Sequence, residues 1–343
     1  MKPTLRTSAI LFCGAQFMAA QNQPFLPEYR ARSRSQQAVQ ATEAVVNVVD
    51  AERPGRPNAG VTDAAAAPAT VRYQTVQVEA PRLLSQLKSK LGDQAVEIAM
   101  RVNRLDLNHL RQAKSLVVPD SAANLLSLSP LPAEIEQARE LPKLVLISRR
   151  VQAFGAYENG RLVRWGPTST GKKSTPTPAG LYNMNWKSVE TRSSVNRDWR
   201  LPWYFNLDNV QGIALHQFDL PGYPASHGCV RLLKEDAQWF YTWGDQWITS
   251  KSNHKMVGYG TPVLIFGDYS HKELAPWKRL PEDPNAATLR IAEVLEALSP
   301  HLPVIVSRVH SREALIASST TQQPIDRPSD TDPLLNRNMA QPH

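Results

Sequence analysis

At 343 residues the chain could hold two domains, but its apolar residues, 42% of the total, are unevenly spread and suit one core with loose flanks. The net charge of +8 is dispersed, and no Lys/Arg block is long enough for a nucleic-acid arm. A polyanionic surface such as a cell wall or anionic lipid headgroups suits that charge, and no internal stretch reaches the ~20 apolar residues of a transmembrane helix.

Residues 1–20, "MKPTLRTSAILFCGAQFMAA", place Lys2 and Arg6 before a short apolar run ending in small residues, the layout of a secretory signal. Cleavage near Ala20 would remove Cys13 and leave Cys229 as the sole thiol of an exported chain. Retention of the segment would instead make it a membrane or wall tether. Residues 21–80, with "RPGRPNAG" and "AAAAPAT", lack sustained periodicity and read as a disordered linker. From 81 to 130, apolar residues recur at helical spacing (Leu83, Leu84, Leu87 and Leu91, then Ala95, Ile98 and Ala99) before the extended "SLVVP". That order of helix, turn, helix and strand resembles a degenerate LysM module, which would imply glycan binding; the alternative is a plain helical subdomain.

Strand signals open at "KLVLISRRVQAFGAYENGRLVRW", where alternation in Leu144, Leu146 and Ser148, the turn "ENG" and the run "RLVRW" predict a β-hairpin. Short extended runs follow at "AGLYNMNW", "PWYFNL" and "GIALHQF", then a helix at "KEDAQWFYTWGDQW" and a closing strand at "GTPVLIFG". Many short strands with one helix describe a mostly-β domain over 142–270, not a βαβ repeat. Residues 271–343 read as one amphipathic helix, "NAATLRIAEVLEALSPHL", and a disordered polar tail.

Within "PASHGCVRLL" (224–233), Cys229 stands beside His227 and Gly228, with His216 ending the strand "GIALH" thirteen residues upstream. A lone thiol in an exported chain excludes an internal disulfide. Zinc is disfavoured, because a structural site wants four ligands and the remaining histidines show no ligand spacing; no metal and no cofactor are expected. A nucleophile needs a base and oxyanion donors, and this stretch supplies candidates for both. An inert buried cysteine stays open as the alternative. Ser226 lacks the glycine elbow of a serine nucleophile. Six tryptophans (Trp186, Trp199, Trp203, Trp239, Trp243 and Trp247) suggest a binding wall, although the i, i+4 pair Trp239 and Trp243 suits the core better. "RDWRLPWYF" is a candidate lid.

"SHGCVRL", the upstream "GIALH" and "STGKKSTPTPAGLY" together resemble the L,D-transpeptidases with a YkuD-type catalytic domain, as do the opening hairpin and the strand "GTPVLIF". The resemblance implies a β-sandwich-type domain with one helix near the active-site loop. It implies an enzyme of the periplasm or cell wall that cross-links peptidoglycan stem peptides through a cysteine thioester; a thiol and an imidazole suffice for that chemistry, so no cofactor is expected, and a monomer with no nucleic-acid partner is expected. By position, Cys229 is the nucleophile, His216 the general base and His227 a loop organiser that supports the thiolate. Gly228 and Cys229 offer backbone donors to the oxyanion, Ser226 fixes the turn, and Arg231 holds the loop or pairs with a substrate carboxylate. Gln217 stands where many relatives have Gly or Ser, which leaves open what orients His216. A wall hydrolase, a protein-releasing amidase and a non-catalytic wall-binding protein are the alternatives.

Overall fold

The computed structural model describes residues 71–78, 82–121, 123–250, 252 and 255–321; the expected signal segment, most of the expected linker and the end of the expected tail lie outside them. Strand β1 (Tyr73–Gln77) falls inside the stretch expected to be linker. Helices α1 (Leu83–Leu91), α2 (Ala95–Asn103) and α3 (Leu107–Gln112) separate it from β2 (Ser115–Pro119), with which it pairs antiparallel from Tyr73 opposite Pro119 to Gln77 opposite Ser115. The expected helix–turn–helix–strand is therefore three helices framed by two strands. Leu83, Leu87 and Leu91 form one buried stripe on α1, and Ala95, Ile98, Ala99 and Val102 another on α2. Arg104, at φ 60°, ends α2, and the Asp106 carboxylate accepts from the His109 N–H to cap α3.

The sheet half begins with β3 (Leu144–Ser148), buried along its whole length. Leu144 and Leu146 face the core shared with the helical module, while Val145 and Ile147 face a second core on the other side of the sheet. The expected hairpin lies one strand later. It joins β4 (Ala153–Glu158) and β5 (Arg161–Ser169) through Asn159 and Gly160, at φ 48° and 76°, the doubly left-handed turn that Asn-Gly favours because it matches strand twist.

Then follow β6 (Gly180–Asn183), β7 (Lys187–Arg192), β8 (Arg200–Asp208), β9 (Ile213–Gln217), β10 (Val230–Leu232), α4 (Lys234–Trp243), the small pair β11 (Ile248–Thr249) and β12 (Met256–Gly258), and β13 (Pro262–Phe266). Nine strands form one curled sheet in the order β6-β13-β3-β4-β5-β10-β9-β8-β7, so the domain is mostly β. Only the neighbours β9–β10 and β3–β13 run parallel. Helix α4 lays Ala237 and Phe240 on the second core, where Trp239 and Trp243 stack 4.7 Å apart and are half-buried. The expected single C-terminal helix is two, α5 (Ile291–Leu298) and α6 (Leu302–Thr321). Ser299–His301 separates them, and Pro303 sits in the first turn of α6, where its missing N–H costs nothing. Residues 316–321, read as tail, are its last turns.

The module is joined to the sheet half by buried charge. Arg101 of α2 bonds both carboxylate oxygens of Asp236 on α4 (3.2 and 3.0 Å) and the Trp165 carbonyl, and Arg164 reaches the same carboxylate at 2.7 Å. A Cβ at residue 166 would lie 2.3 Å from Asp236 Oδ2 and 2.7 Å from Arg101 Nη1, so Gly166 is what lets the pair close over β5.

Candidate active site

The parallel pairing of β9 and β10 sets Leu215 beside Val230 and His216 beside Arg231. Side chains alternate along each strand, so Ile213, Leu215, Val230 and Leu232 enter the second core while Ala214, His216 and Cys229 take the opposite face. His216 and Cys229 are thereby diagonal neighbours in one cleft of about 280 Å³, which Ser226, His227 and Arg231 also line.

Each expected site residue has a definite partner. His216 is buried, and its Nδ1 lies 2.9 Å from the Gln217 carbonyl. A carbonyl only accepts, so Nδ1 carries the proton and Nε2 is the basic nitrogen. This backbone oxygen is the orienting group that the residue after His216 left open. Burial, followed by the Arg231 charge and against the pull of that hydrogen bond, brings the His216 pKa down to about 4. The half-buried Cys229 thiol donates to the Gly212 carbonyl at 3.2 Å. Burial raises its pKa, against lowering by a backbone hydrogen bond and Arg231. Both perturbations favour the uncharged form, so the resting pair at neutral pH is thiol and imidazole, not thiolate and imidazolium.

The turn before the cysteine is tightly bonded. Ser226 Oγ donates to the Cys229 carbonyl at 2.5 Å and accepts from the Gly228 N–H at 3.1 Å. The Gly228 N–H, expected as an oxyanion donor, is thus already engaged, which leaves the Cys229 N–H as the donor of that pair not held by Ser226. Gly228 has φ 117°, a conformation that L side chains rarely adopt. Thr177 Oγ1 donates to the Gly228 carbonyl at 2.7 Å and accepts from the Gly171 N–H at 2.8 Å, tying the Thr-Pro block to the cysteine turn.

His227 is exposed, its Nε2 2.9 Å from Lys172 Nζ, and its ring lies 5.3 Å from that of Trp199. An ammonium only donates, so Nε2 accepts and the ring is neutral; burial first, then Lys172 and Arg231, lowers its pKa. His227 therefore faces Lys172, whereas the thiol it was expected to support is bonded to Gly212. Arg231 donates to the Asp219 carbonyl at 3.3 Å and lies over the Phe218 ring at 4.5 Å, which holds the loop between His216 and Cys229.

Tyr204, which no local motif marks, stacks on His216 at 6.4 Å between ring centres. Of the six tryptophans, Trp186 and Trp199 line the cleft, and Trp203, Trp239 and Trp243 pack on the second core. Within the candidate lid only Trp199, Leu201 and Tyr204 reach the cleft. Ser193, Ser194 and Val195 rim it, and nothing in their composition singles them out.

Residues 142–265 match the family model of the L,D-transpeptidase catalytic domain, YkuD. This region is a YkuD-type L,D-transpeptidase catalytic domain. Among solved structures, L,D-transpeptidase 1 of Mycobacterium tuberculosis is 20% identical, with 36% of this chain and 62% of that one covered and a TM-score of 0.28. An L,D-transpeptidase of Stackebrandtia nassauensis is 19% identical, with 57% and 94% covered and a TM-score of 0.35. The chain spans 59% and 62% of the first two solved relatives. No curated protein sequence matches it. The L,D-transpeptidase domain thus coincides with the strands that carry His216 and Cys229, and the helical module lies outside the matched residues.

Proposed function

We propose that the chain is an exported L,D-transpeptidase that cross-links peptidoglycan tetrapeptide stems through a thioester on Cys229. The observation that carries this reading is the pairing of His216, its Nδ1 proton committed to Gln217, with Cys229 on the same face of the sheet.

The chemistry follows from the two neutral groups. The Cys229 side chain leaves the Gly212 carbonyl and gives its proton to His216 Nε2 as sulfur attacks the carbonyl carbon of the stem's third residue. The carbonyl electron pair moves to oxygen, and in this reading the Cys229 N–H donates to that oxyanion. Collapse of the oxyanion breaks the C–N bond, and the His216 imidazolium protonates the departing D-Ala amine. A neighbouring stem's amine then attacks the thioester, His216 takes its proton, and the thiol is restored. His216 enters each half-reaction neutral, which its low pKa favours. Arg231 and Lys172 place positive charge near the cleft, suited to a carboxylate-bearing peptide. The net charge of +8 suits retention on an anionic wall. The module at 81–130 supplies contact with glycan strands in this reading, with the N-terminus as export signal or tether.

The test is incubation of the protein with tetrapeptide muropeptides, with products identified by mass spectrometry. Crosslinked dimers that fall at least about a thousandfold in Cys229→Ala are expected. Tripeptide without dimers would assign a hydrolase, and no turnover by the wild-type chain would overturn the enzymatic reading.

A further inference from the structure

The chain runs from His216 to Cys229 through a long loop, and base and nucleophile hold their geometry only if that loop is anchored. The catalytic domain anchors its two ends. Phe218 N–H donates to Leu232 O at 3.3 Å, and Ala225 N–H donates to Ser169 Oγ at 3.1 Å. The helical module holds the middle, together with Ser169 Oγ, which donates to the Tyr223 carbonyl at 2.8 Å. Leu105 bridges Pro221, the Asp106 N–H donates to Leu220 O at 3.1 Å, and the Leu220 N–H donates to Asp106 Oδ2 at 2.7 Å. This last bond is charge-assisted and, at 2.7 Å, shorter than the Asp106 N–H bond to the same residue. The Asp106 side chain is only 17% exposed. Its other oxygen accepts from the His109 N–H at 2.9 Å, and Oδ2 also meets His109 Nδ1 at 2.8 Å.

We infer that Asp106 is a positioning residue of the active site, acting across the module boundary. Its carboxylate fixes Leu220, two residues beyond Phe218, and Phe218 packs edge-on against His216 at 5.9 Å and under Arg231. The inference rests on the reading of Cys229 and His216 as the reacting pair, and it makes the helical module part of the catalytic device.

Capping α3 and clamping the loop are separable. Asn caps a helix about as well as Asp, but it has a single acceptor oxygen, and its amide would meet the Leu220 N–H donor to donor. Asp106→Asn therefore keeps the cap and breaks the clamp, whereas His109→Ala keeps the clamp. In the full chain, kcat and KM are measured on tetrapeptide muropeptides. The iodoacetamide alkylation rate of the Cys229 peptide is read by mass spectrometry, well below each variant's melting midpoint so that global unfolding does not contribute. Asp106→Asn is expected to lower kcat about tenfold with KM within about twofold, and to raise the alkylation rate several-fold as the loop opens around the half-buried thiol. His109→Ala is expected to leave both rates at wild-type values. Wild-type kcat and alkylation in Asp106→Asn, or an equal loss in His109→Ala, would overturn the inference. If the wild-type chain turns over no muropeptide, the functional reading fails, while the alkylation rates still decide whether Asp106 clamps the loop.

Discussion

Two buried polar clusters flank the short strand β10, and they treat charge in opposite ways. Past its C-terminal end, Asp236 is fully buried yet ion-paired with both Arg101 and Arg164. At its other end, the buried His216 and the half-buried Cys229 lie beside Arg231 with no opposing charge, and both are pushed towards their neutral forms. Paired charge locks the module onto the sheet, because removing either partner strands the other in a medium that solvates it poorly. Unpaired titratable groups in a cleft hold nothing together; they keep a proton ready to move.

Breaking the lock gives the largest expected effect on stability. Asp236→Ala leaves the buried Arg101 with only the partly exposed Glu97 as counter-charge and should cost about 3 kcal/mol in denaturant unfolding. Cys229→Ala should cost far less, and the reverse order would erase the contrast between the clusters.

His216 sharpens the comparison through pH. Its folded pKa of about 4 lies below its ordinary 6.5, so the unfolded chain takes up a proton that the folded chain refuses. Its contribution is therefore present above pH 6.5 and lost as pH falls towards 4, by about 3 kcal/mol in all. His216→Gln should remove this segment of the stability–pH curve, measured by denaturant melts at several pH values. It should also slow cross-linking by about 10²–10⁴. An unchanged acid limb would mean that the imidazole is not held neutral by burial.

The smallest effect is at Lys172. Burial and two cations depress the His227 pKa, so Lys172→Met should raise it, seen as an upfield-to-downfield titration of the ring protons at higher pH by NMR. No shift would mean that Lys172 does not face His227 in solution.

What the residues disclosed in advance was local. "SHGCVRL" and "GIALH" mark Cys229 and His216, the pair proposed to react, and Asn159-Gly160 marks the hairpin turn. What they hid depends on partners distant in the chain. Strand β1 is invisible because its partner lies beyond three helices. The alternation read in β3 was misleading, since cores cover both of its faces. Tyr204 and Asp106 carry no local signature, as each acquires its role from a residue brought near by the sheet or the module seam. The Gly228 N–H looked free because the bond that occupies it comes from Ser226, whose side-chain direction no motif states.

The central claim is that Cys229 receives the acyl group. Intact-protein and peptide mass spectrometry of the wild-type chain, quenched with acid after mixing with a tetrapeptide donor and no acceptor, tests it most directly. The account predicts a mass gain on the Cys229 peptide equal to the donor less its terminal D-Ala; a donor consumed with no adduct there, or with one on another residue, would contradict it.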